Sequence, residues 1–311
     1  MAAVAGSTGS RAGSPVVLML LASFLFATMG VCVKLASTHY AAGEIVFYRG
    51  AIGAVMLAGF SRWQGGSLRT PVPLMHLWRS AVGVSSLALW FYAIGHLPLA
   101  TAITLNYMSS VWMAMFLIGG AIMLGGRSGV DGRLIGTVLL GFVGVAMVLR
   151  PAVDHDQLWP GLIGLLSGML AAMAYLQVTA LGRIGEPEYR VVFYFSLGGM
   201  VCGLVLTLLT GGLHAHTGWD ALWLLAVGVL ATLAQWLMTR AYATGKVLVN
   251  ASLQYLGIGW SFVYGVLIFS DAVTPMAVGG MVLIIVAGLA ATLLRSRTAP
   301  ADTTTHTTSD T

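Results

Sequence analysis

The sequence predicts an all-α integral membrane protein, in which ten transmembrane helices form two inverted five-helix repeats with both termini cytoplasmic. Ten apolar segments run almost end to end through the 311 residues. Each approaches the roughly 20 residues that cross a hydrocarbon core about 30 Å thick. The chain is 58% hydrophobic and 8% charged, whereas soluble domains average about 25% charged residues, so a soluble fold would expose extensive apolar surface. Helices are expected because lipid offers no partner to unpaired backbone groups.

The predicted helices divide the chain into two halves. The first repeat covers residues 15–149, and the inverted second repeat covers residues 160–295, with an outer linker at residues 150–159. Residues 1–14 form a cytoplasmic N-terminal segment, and the Thr-rich residues 296–311 are predicted to be a disordered cytoplasmic tail. The ten spans are predicted at residues 15–35, 43–61, 74–94, 98–124, 131–149, 160–181, 190–210, 219–239, 247–269 and 274–294.

Basic residues orient the predicted bundle. Loops on one side carry only Arg150, whereas the loops and tails on the side that holds both termini carry eleven basic residues. These are Arg11, Arg62, Arg69, Arg127, Arg133, Arg183, Arg190, Arg240, Lys246, Arg295 and Arg297. Loops rich in lysine and arginine stay in the cytoplasm, which predicts that both termini are cytoplasmic. The net charge of +5 thus reflects membrane topology and does not indicate nucleic-acid binding, because no compact basic domain is present.

Weak internal similarity supports a duplicated chain. The third span ends in Tyr92-Ala93-Ile94-Gly95, and the eighth ends in Tyr242-Ala243-Thr244-Gly245. Residues 22–27 of the first span also resemble residues 167–172 of the sixth. A unit of five spans starts and ends on opposite sides of the membrane, so its copy must be inverted. Inverted repeats are typical of transporters, in which the two halves exchange conformations.

These features resemble the drug/metabolite transporter superfamily, EamA type, over about residues 15–295. The marks are the ten short-looped spans, the Tyr-Ala-x-Gly turns, Lys34 near the end of the first span and Arg49 in the second. Leu105-Asn106-Tyr107 and the many tryptophans and tyrosines resemble the YddG-like aromatic amino-acid exporters of that superfamily. The resemblance implies a bacterial inner-membrane protein, with a central pathway between spans one, three, four, six, eight and nine. The family's usual prolines are replaced by Ser109-Ser110 and Gly257–Gly259.

Three cationic side chains within the spans are candidates for contact with substrate charge or for gating. Lys34 and Arg49 lie toward the predicted outer side, where they would meet a substrate carboxylate or close the outer mouth. Lys34 has the alternatives of extending to the interface or pairing with Glu44. Arg79 lies near the cytoplasmic start of the third span, where extension to the interface is the alternative to a site role.

Polar and aromatic residues deep in the spans indicate a substrate cavity. Amides buried in hydrocarbon need partners and should point inward. Aromatic walls with a few amides would suit an amphipathic organic solute, and the alternative is that these side chains only pack and hydrogen-bond helices together. The residues predicted to line the cavity are Ser86, Trp90, Asn106, Tyr107, Tyr175, Gln235, Trp236, Gln254 and Tyr255.

The acidic residues and histidines bear on the energy source. All ten acids and all seven histidines fall in loops, tails or the ends of spans, so no carboxylate or imidazole at mid-membrane is available to carry a proton. The chain has no phosphate-binding Gly-x-x-x-x-Gly-Lys-Ser/Thr motif. We therefore expect facilitative transport, and no cofactor or bound metal. His214, His216 and Asp220 come nearest to an enzyme-like cluster, and a solvated outer loop is the expected interpretation.

The sequence thus predicts export of aromatic and other neutral amino acids, and of related small metabolites, by facilitative alternating access. The alternative within this class is an efflux carrier for drugs or other metabolites, with proton coupling as a variant. A membrane-embedded enzyme is the third hypothesis. The expected partners are the small-molecule substrate and the lipid bilayer, in a monomer or a homodimer.

Overall fold

The computed structural model describes residues 14–109, 111–113, 115–116, 119, 132–154, 157–216, 219–244, 253–272 and 274–298, and the regular structure of these residues is α-helical. Ten helices follow one another within these ranges. They are α1 (Pro15–Ala36), α2 (Ala42–Trp63), α3 (Pro73–His96), α4 (Leu99–Tyr107), α5 (Gly132–Asp154), α6 (Leu158–Arg183), α7 (Glu188–Leu209), α8 (Asp220–Thr244), α9 (Leu256–Phe269) and α10 (Pro275–Thr298).

Six of these helices, α1, α2, α3, α6, α7 and α8, are long and apolar enough to cross a membrane. Large apolar side chains project outward from the bundle. Leu209 on α7 is 79% exposed and Leu267 on α9 is 76% exposed. An outer surface of this kind suits contact with lipid rather than water.

Helix boundaries depart from the predicted spans at three places. Helix α5 continues to Asp154 and α6 begins at Leu158, so helix extends into the predicted linker of residues 150–159. Pro160 fits at the start of α6 because the first turn of a helix needs no intrahelical N–H donor. Helix α4 ends at Tyr107, but the described residues 109, 111–113, 115–116 and 119 are helical again. Helix α9 starts at Leu256 rather than at residue 247, and residues 253–254 before it are also helical. The remainder of the predicted fourth span, the start of the ninth, residues 1–13 and residues 299–311 lie largely or wholly outside the described residues.

Both short helices are interrupted where they approach each other. Helical geometry is interrupted at Met108, directly after α4, and at Tyr255, directly before α9. The rings of Tyr107 and Tyr255 meet edge to face with centroids 6.5 Å apart. A Cβ atom added to Gly257 would lie 2.7 Å from the hydroxyl oxygen of Tyr107, so a larger residue there would require the Tyr107 ring to shift. The interruptions place Asn106, Tyr107 and Gln254 at the centre of the bundle.

The helices pack in a symmetric set of pairs. The most extensive pairs are α2 with α7, α1 with α8, α5 with α10 and α3 with α6; α2 with α8, α3 with α7, α1 with α9, α4 with α6, and α4 with α9 follow. If each of the first five helices is exchanged with the helix five positions later in the chain, this set of pairs is unchanged. The pair α1–α8, for example, becomes α6–α3, and α4–α6 becomes α9–α1. The interior therefore lies between the first five and the last five helices.

Helices α2 and α7 touch backbone to backbone. A Cβ atom on Gly50 would lie 2.6 Å from the carbonyl oxygen of Ser196, and one on Gly203 would lie 2.7 Å from Cα of Phe47. Real Cβ atoms do not approach backbone this closely, so these glycines set the distance between the two helices. Small residues at such crossings are a common means of close packing in membranes.

Carboxylates tie the first five helices to the last five at both ends of the bundle. At one end, which we call the Asp271 face, Lys34 Nζ donates to Asp271 Oδ1 at 2.9 Å, and the Leu99 backbone N–H donates to Oδ2 at 2.9 Å. Near it, the side chains of His214 and Glu44 lie 2.8 Å apart. The structure thus corrects one interpretation, because Lys34 pairs with Asp271 rather than with Glu44. The His214 side chain is 54% exposed, which agrees with the expected solvated loop.

The opposite end, which we call the Glu186 face, is tied in a comparable way. Thr70 donates to Glu186 Oε1 at 2.5 Å, and Arg190 donates to Oε2 at 2.8 Å. His76 Nε2 lies 3.7 Å from the same carboxylate. Arg190 also donates to the carbonyl oxygen of Ser67. The loop before α3 is therefore fastened to the start of α7.

The Glu186 carboxylate makes the stability of this face depend on pH. Burial raises the pKa of Glu186, but the hydrogen bonds from Thr70 and Arg190 and the nearby positive charge outweigh burial, so its pKa lies below the usual value. A carboxyl whose pKa is lower in the folded than in the unfolded protein stabilises the fold above its unfolded pKa. This stabilisation is lost as the pH falls through the folded pKa.

We expect Glu186→Gln to melt below the wild type at neutral pH, by the equivalent of about 1–3 kcal/mol, because Arg190 loses its buried ionic partner. The difference should shrink as the pH falls from about 6 to about 3, since the wild type then loses the same interaction. Thermal melts of the purified protein followed by tryptophan fluorescence will measure this. Glu188→Gln, in the first turn of α7, is the matched control. A difference from the wild type that is constant across this pH range would contradict the assignment.

Candidate functional site

A cavity lies in the middle of the bundle. Its walls come from α1, α2, α3 and α4 of the first five helices, and from α6, α7, α8 and the segment before α9 of the last five. The lining residues are Phe26, Met29, Arg49, Arg79, Gly83, Ser86, Leu87, Trp90, Asn106, Tyr107, Ala171, Ala174, Tyr175, Phe195, Gln235, Met238 and Gln254.

Seven of the nine residues predicted for the cavity line it: Ser86, Trp90, Asn106, Tyr107, Tyr175, Gln235 and Gln254. Trp236 and Tyr255 are not among the lining residues. Successive residues of a helix point about 100° apart, so a Gln235 side chain that faces the cavity turns Trp236 away. The Trp236 ring packs against Phe60, with centroids 5.4 Å apart.

The amides that line the cavity also join helices. Asn106 Nδ2 on α4 donates to Ser167 Oγ on α6 at 3.1 Å, and Ser86 Oγ on α3 donates to the Ser167 carbonyl at 2.8 Å. Gln254 Nε2 donates to Tyr175 Oη at 3.2 Å, and Gln254 Oε1 accepts from Tyr242 at 3.3 Å. The same side chains therefore line the cavity and also hydrogen-bond helices to one another. Both interpretations that the sequence left open apply. Ser167 at the junction was not singled out from the sequence.

Two arginines are buried in the cavity wall. Arg49 is 4% exposed and Arg79 is 3% exposed, so Arg79 does not extend to the interface. Arg79 lies six residues into α3, where its guanidinium turns inward and its central carbon lies 4.2 Å from the centre of the Phe195 ring. The corresponding carbon of Arg49 lies 5.0 Å from the same ring centre. Both arginines therefore pack on one aromatic side chain, which the sequence analysis did not identify because nothing sets Phe195 apart from other apolar residues of its span.

The hydrogen bonding of these arginines is incomplete. Arg49 Nη2 donates to Gln235 Oε1 at 3.4 Å, a long contact, and Arg49 Nε has no acceptor. Arg79 Nε and Nη1 and the indole nitrogen of Trp90 also lack acceptors. All of these unpaired lining atoms are donors, so the cavity offers hydrogen bonds to a molecule rich in acceptors.

No acidic side chain of the described residues balances the positive charges of the cavity. Among the described residues that line it, none is an aspartate or a glutamate. The carboxylates of Glu44, Glu186 and Asp271 are engaged at the two faces. The attraction of the two guanidinium groups for the Phe195 ring offsets part of the burial cost, by about 2 kcal/mol each.

Lys34 lies outside the cavity. Its ammonium pairs with Asp271 and lies 4.5 Å from the centre of the Phe269 ring. Since Lys34 belongs to α1 and Asp271 follows α9, this ion pair joins the two sets of helices at the Asp271 face. Within the described part of the chain, no group of three or more His, Cys, Asp or Glu side chains is arranged to hold a metal ion.

Comparison with known proteins identifies the family. The EamA-like transporter family matches residues 13–150. The pseudopaline exporter of Pseudomonas aeruginosa is 33% identical over 89% of this chain and 95% of its own length. The riboflavin transporter of Rhizobium johnstonii is 28% identical over 75% of this chain and 76% of its own. A protein crystal structure shares the fold, with a TM-score of 0.64 at 18% identity, over 91% of this chain and 98% of that one. With its apolar helices and a relative of this similarity along nearly its whole length, the chain belongs to the EamA-like transporters of the drug/metabolite transporter superfamily.

Proposed function

We propose that the protein carries amino acids and related small metabolites out of a bacterial cell across the inner membrane, by facilitative alternating access. The observation that carries this proposal is the position of the cavity. It lies between the first five and the last five helices, midway along them, and side-chain contacts join the two sets at both faces. Breaking the contacts of one face at a time would open the cavity to one side and then to the other.

The proposal includes ten spans in two inverted repeats, residues 15–149 and 160–295, with both termini in the cytoplasm. The symmetric pairing of the helices supports the repeat, because an exchange of the two sets preserves the contacts. In this orientation the Glu186 face is cytoplasmic and the Asp271 face is outside. The functional unit is a monomer or a homodimer.

Facilitative transport is supported by the residues of the cavity. Its described lining contains no carboxylate or imidazole that would bind a coupling proton. The two buried arginines favour a solute with a carboxylate, and Phe26, Met29, Leu87 and Met238 provide apolar surface for its side chain. A cationic drug would meet two positive charges and no described negative one. The two relatives compared above are named for other organic metabolites, pseudopaline and riboflavin, which supports carriage of small organic metabolites.

Counterflow into proteoliposomes will test the proposal. Liposomes preloaded with unlabelled phenylalanine or tryptophan, without any ion gradient, should accumulate the labelled amino acid above empty liposomes. Ala174→Phe should reduce this accumulation at least tenfold, because Ala174 lines the cavity and the added ring fills it. Leu166→Phe places the same ring on the exposed surface of the same helix and should leave counterflow unchanged.

Two results would count against the proposal. Absence of counterflow with every amino acid tested would remove amino acids as the substrate class. Clear stimulation of uptake by an imposed pH gradient would replace facilitative transport with proton coupling.

A further inference from the structure

We propose that the preferred substrate is a net anion with two separate carboxylates on an apolar or aromatic body, one carboxylate for Arg49 and one for Arg79. The inference rests on the proposed transport function, since it specifies the substrate class of the same cavity. It narrows the proposed substrates to metabolites related to amino acids that carry two carboxylates and no compensating amine.

Arg49 and Arg79 have no counter-ion among the described residues. Buried charges in proteins are paired, because an isolated ion in a low-dielectric interior is strongly unfavourable. Arg49 and Arg79 are both more than nine-tenths buried and share one cavity, yet no described carboxylate reaches them. The buried carboxylates of the described chain have partners: Glu186 has Arg190, and Glu44 has His214. The exception at the cavity indicates that the ligand supplies the missing negative charge.

The number and position of the unpaired donors in the cavity fit two carboxylates. Arg49 keeps one unpaired nitrogen, Arg79 keeps two, and the Trp90 indole adds a fourth. Since both guanidinium carbons lie within 5.0 Å of the same Phe195 ring centre, their separation cannot exceed the sum of the two ring distances. Two carboxylates separated by a short carbon skeleton span such a distance. Carboxylates accept the charge-assisted hydrogen bonds that guanidinium groups donate.

Solutes with other charge types match the cavity less well. A zwitterionic amino acid would satisfy one arginine, but its ammonium would find no described carboxylate in the lining. A small inorganic dianion would leave the apolar wall of Phe26, Met29 and Leu87 without a contact. An apolar body that carries two carboxylates uses both parts of the cavity.

Three matched probes separate these possibilities. Benzylsuccinate carries two carboxylates and a phenyl ring, 3-phenylpropionate carries one carboxylate and the same ring, and phenylalanine is the zwitterion. Their binding to the purified full-length protein can be measured by calorimetry. Benzylsuccinate should bind at least tenfold more tightly than either of the others.

Arginine variants link this preference to the proposed residues. Arg49→Gln and Arg79→Gln should each weaken benzylsuccinate binding at least tenfold, and should reduce its advantage over 3-phenylpropionate. Arg79→Lys keeps the charge and should retain part of the affinity. Arg183→Gln, at the exposed end of α6, should change nothing. Melting curves of each variant verify that it is folded.

The outcomes distinguish this inference from the proposed function. Three outcomes would contradict a dianionic substrate. They are equal or tighter binding of phenylalanine or 3-phenylpropionate, no binding of any probe, and unchanged affinity for benzylsuccinate in folded arginine variants. Phenylalanine counterflow that benzylsuccinate does not inhibit would leave transport intact and also overturn it. Arginine-dependent binding of benzylsuccinate without counterflow of any solute would leave the dianion site intact and overturn transport.

Discussion

Replacing Arg79 with methionine is expected to stabilise the ligand-free protein and to abolish transport. A guanidinium buried without a counter-ion is unfavourable, and apolar replacements of buried charged groups are often neutral or stabilising by about 1–4 kcal/mol. The unfolding free energy should therefore rise by about 1 kcal/mol or more. The same change removes the unpaired donors Nε and Nη1 from the cavity. Thermal melts in detergent and counterflow in proteoliposomes measure the two effects separately.

A control variant shows whether the gain in stability depends on the buried position of the arginine. Arg183→Met removes an exposed arginine at the end of α6, and exposed substitutions of this kind usually change stability by less than about 0.5 kcal/mol. A lower melting temperature for Arg79→Met would contradict the expectation. It would mean that the contact of the guanidinium with Phe195 holds α3 against α7 more strongly than burial of the charge opposes it.

The second large effect is expected at the crossing of α2 and α7. Gly50→Ala should lower the unfolding free energy by about 1–3 kcal/mol, because the new methyl group would overlap the backbone of α7 at Ser196 and Met200. Gly59→Ala lies on the same helix, with no atom within 4 Å of the added Cβ. It should be neutral or stabilising, since alanine favours helix over glycine by up to about 1 kcal/mol.

The two alanine variants form a matched pair, because they make the same chemical change on one helix. Their melting temperatures should move in opposite directions, or at least differ clearly. Similar values for both variants would show that α2 and α7 can separate at little cost, and the backbone contact would then not define the bundle. Gly203→Ala, which approaches Phe47 from the other side of the contact, should behave like Gly50→Ala.

The long helices could be predicted from the sequence because hydropathy determines where they lie. The bounds of α1, α2 and α3 agree with the predicted spans to within two residues. Where tertiary contacts decide, the prediction was less accurate. The interruptions beside Tyr107 and Tyr255 follow from the crossing of α4 and α9, where Gly257 admits the Tyr107 ring. No periodicity in either span alone indicates that crossing.

The site could be predicted in part for the same reason. Helical spacing indicates which amides share a face, and Asn106, Gln235 and Gln254 all reach the cavity. Trp236 and Tyr255, which were predicted without considering which face of the helix they occupy, are not among the lining residues. The pairing of charges was beyond prediction, because the partner of Lys34 is 237 positions away in the chain. The lack of a partner for Arg49 and Arg79 is likewise visible only in three dimensions.

The unbalanced charge of the cavity has a kinetic consequence. An empty carrier would have to reorient with two unneutralised guanidinium groups, whereas a carrier loaded with a dianion would reorient with a neutral centre. Each charge that moves through the membrane field exchanges about 2.3 kcal/mol per 100 mV, so the return of the empty protein would respond to membrane potential and the loaded step would not. Exchange of one substrate molecule for another would then outpace net release, and the potential across the membrane, rather than a coupled ion, would set the rate of net export.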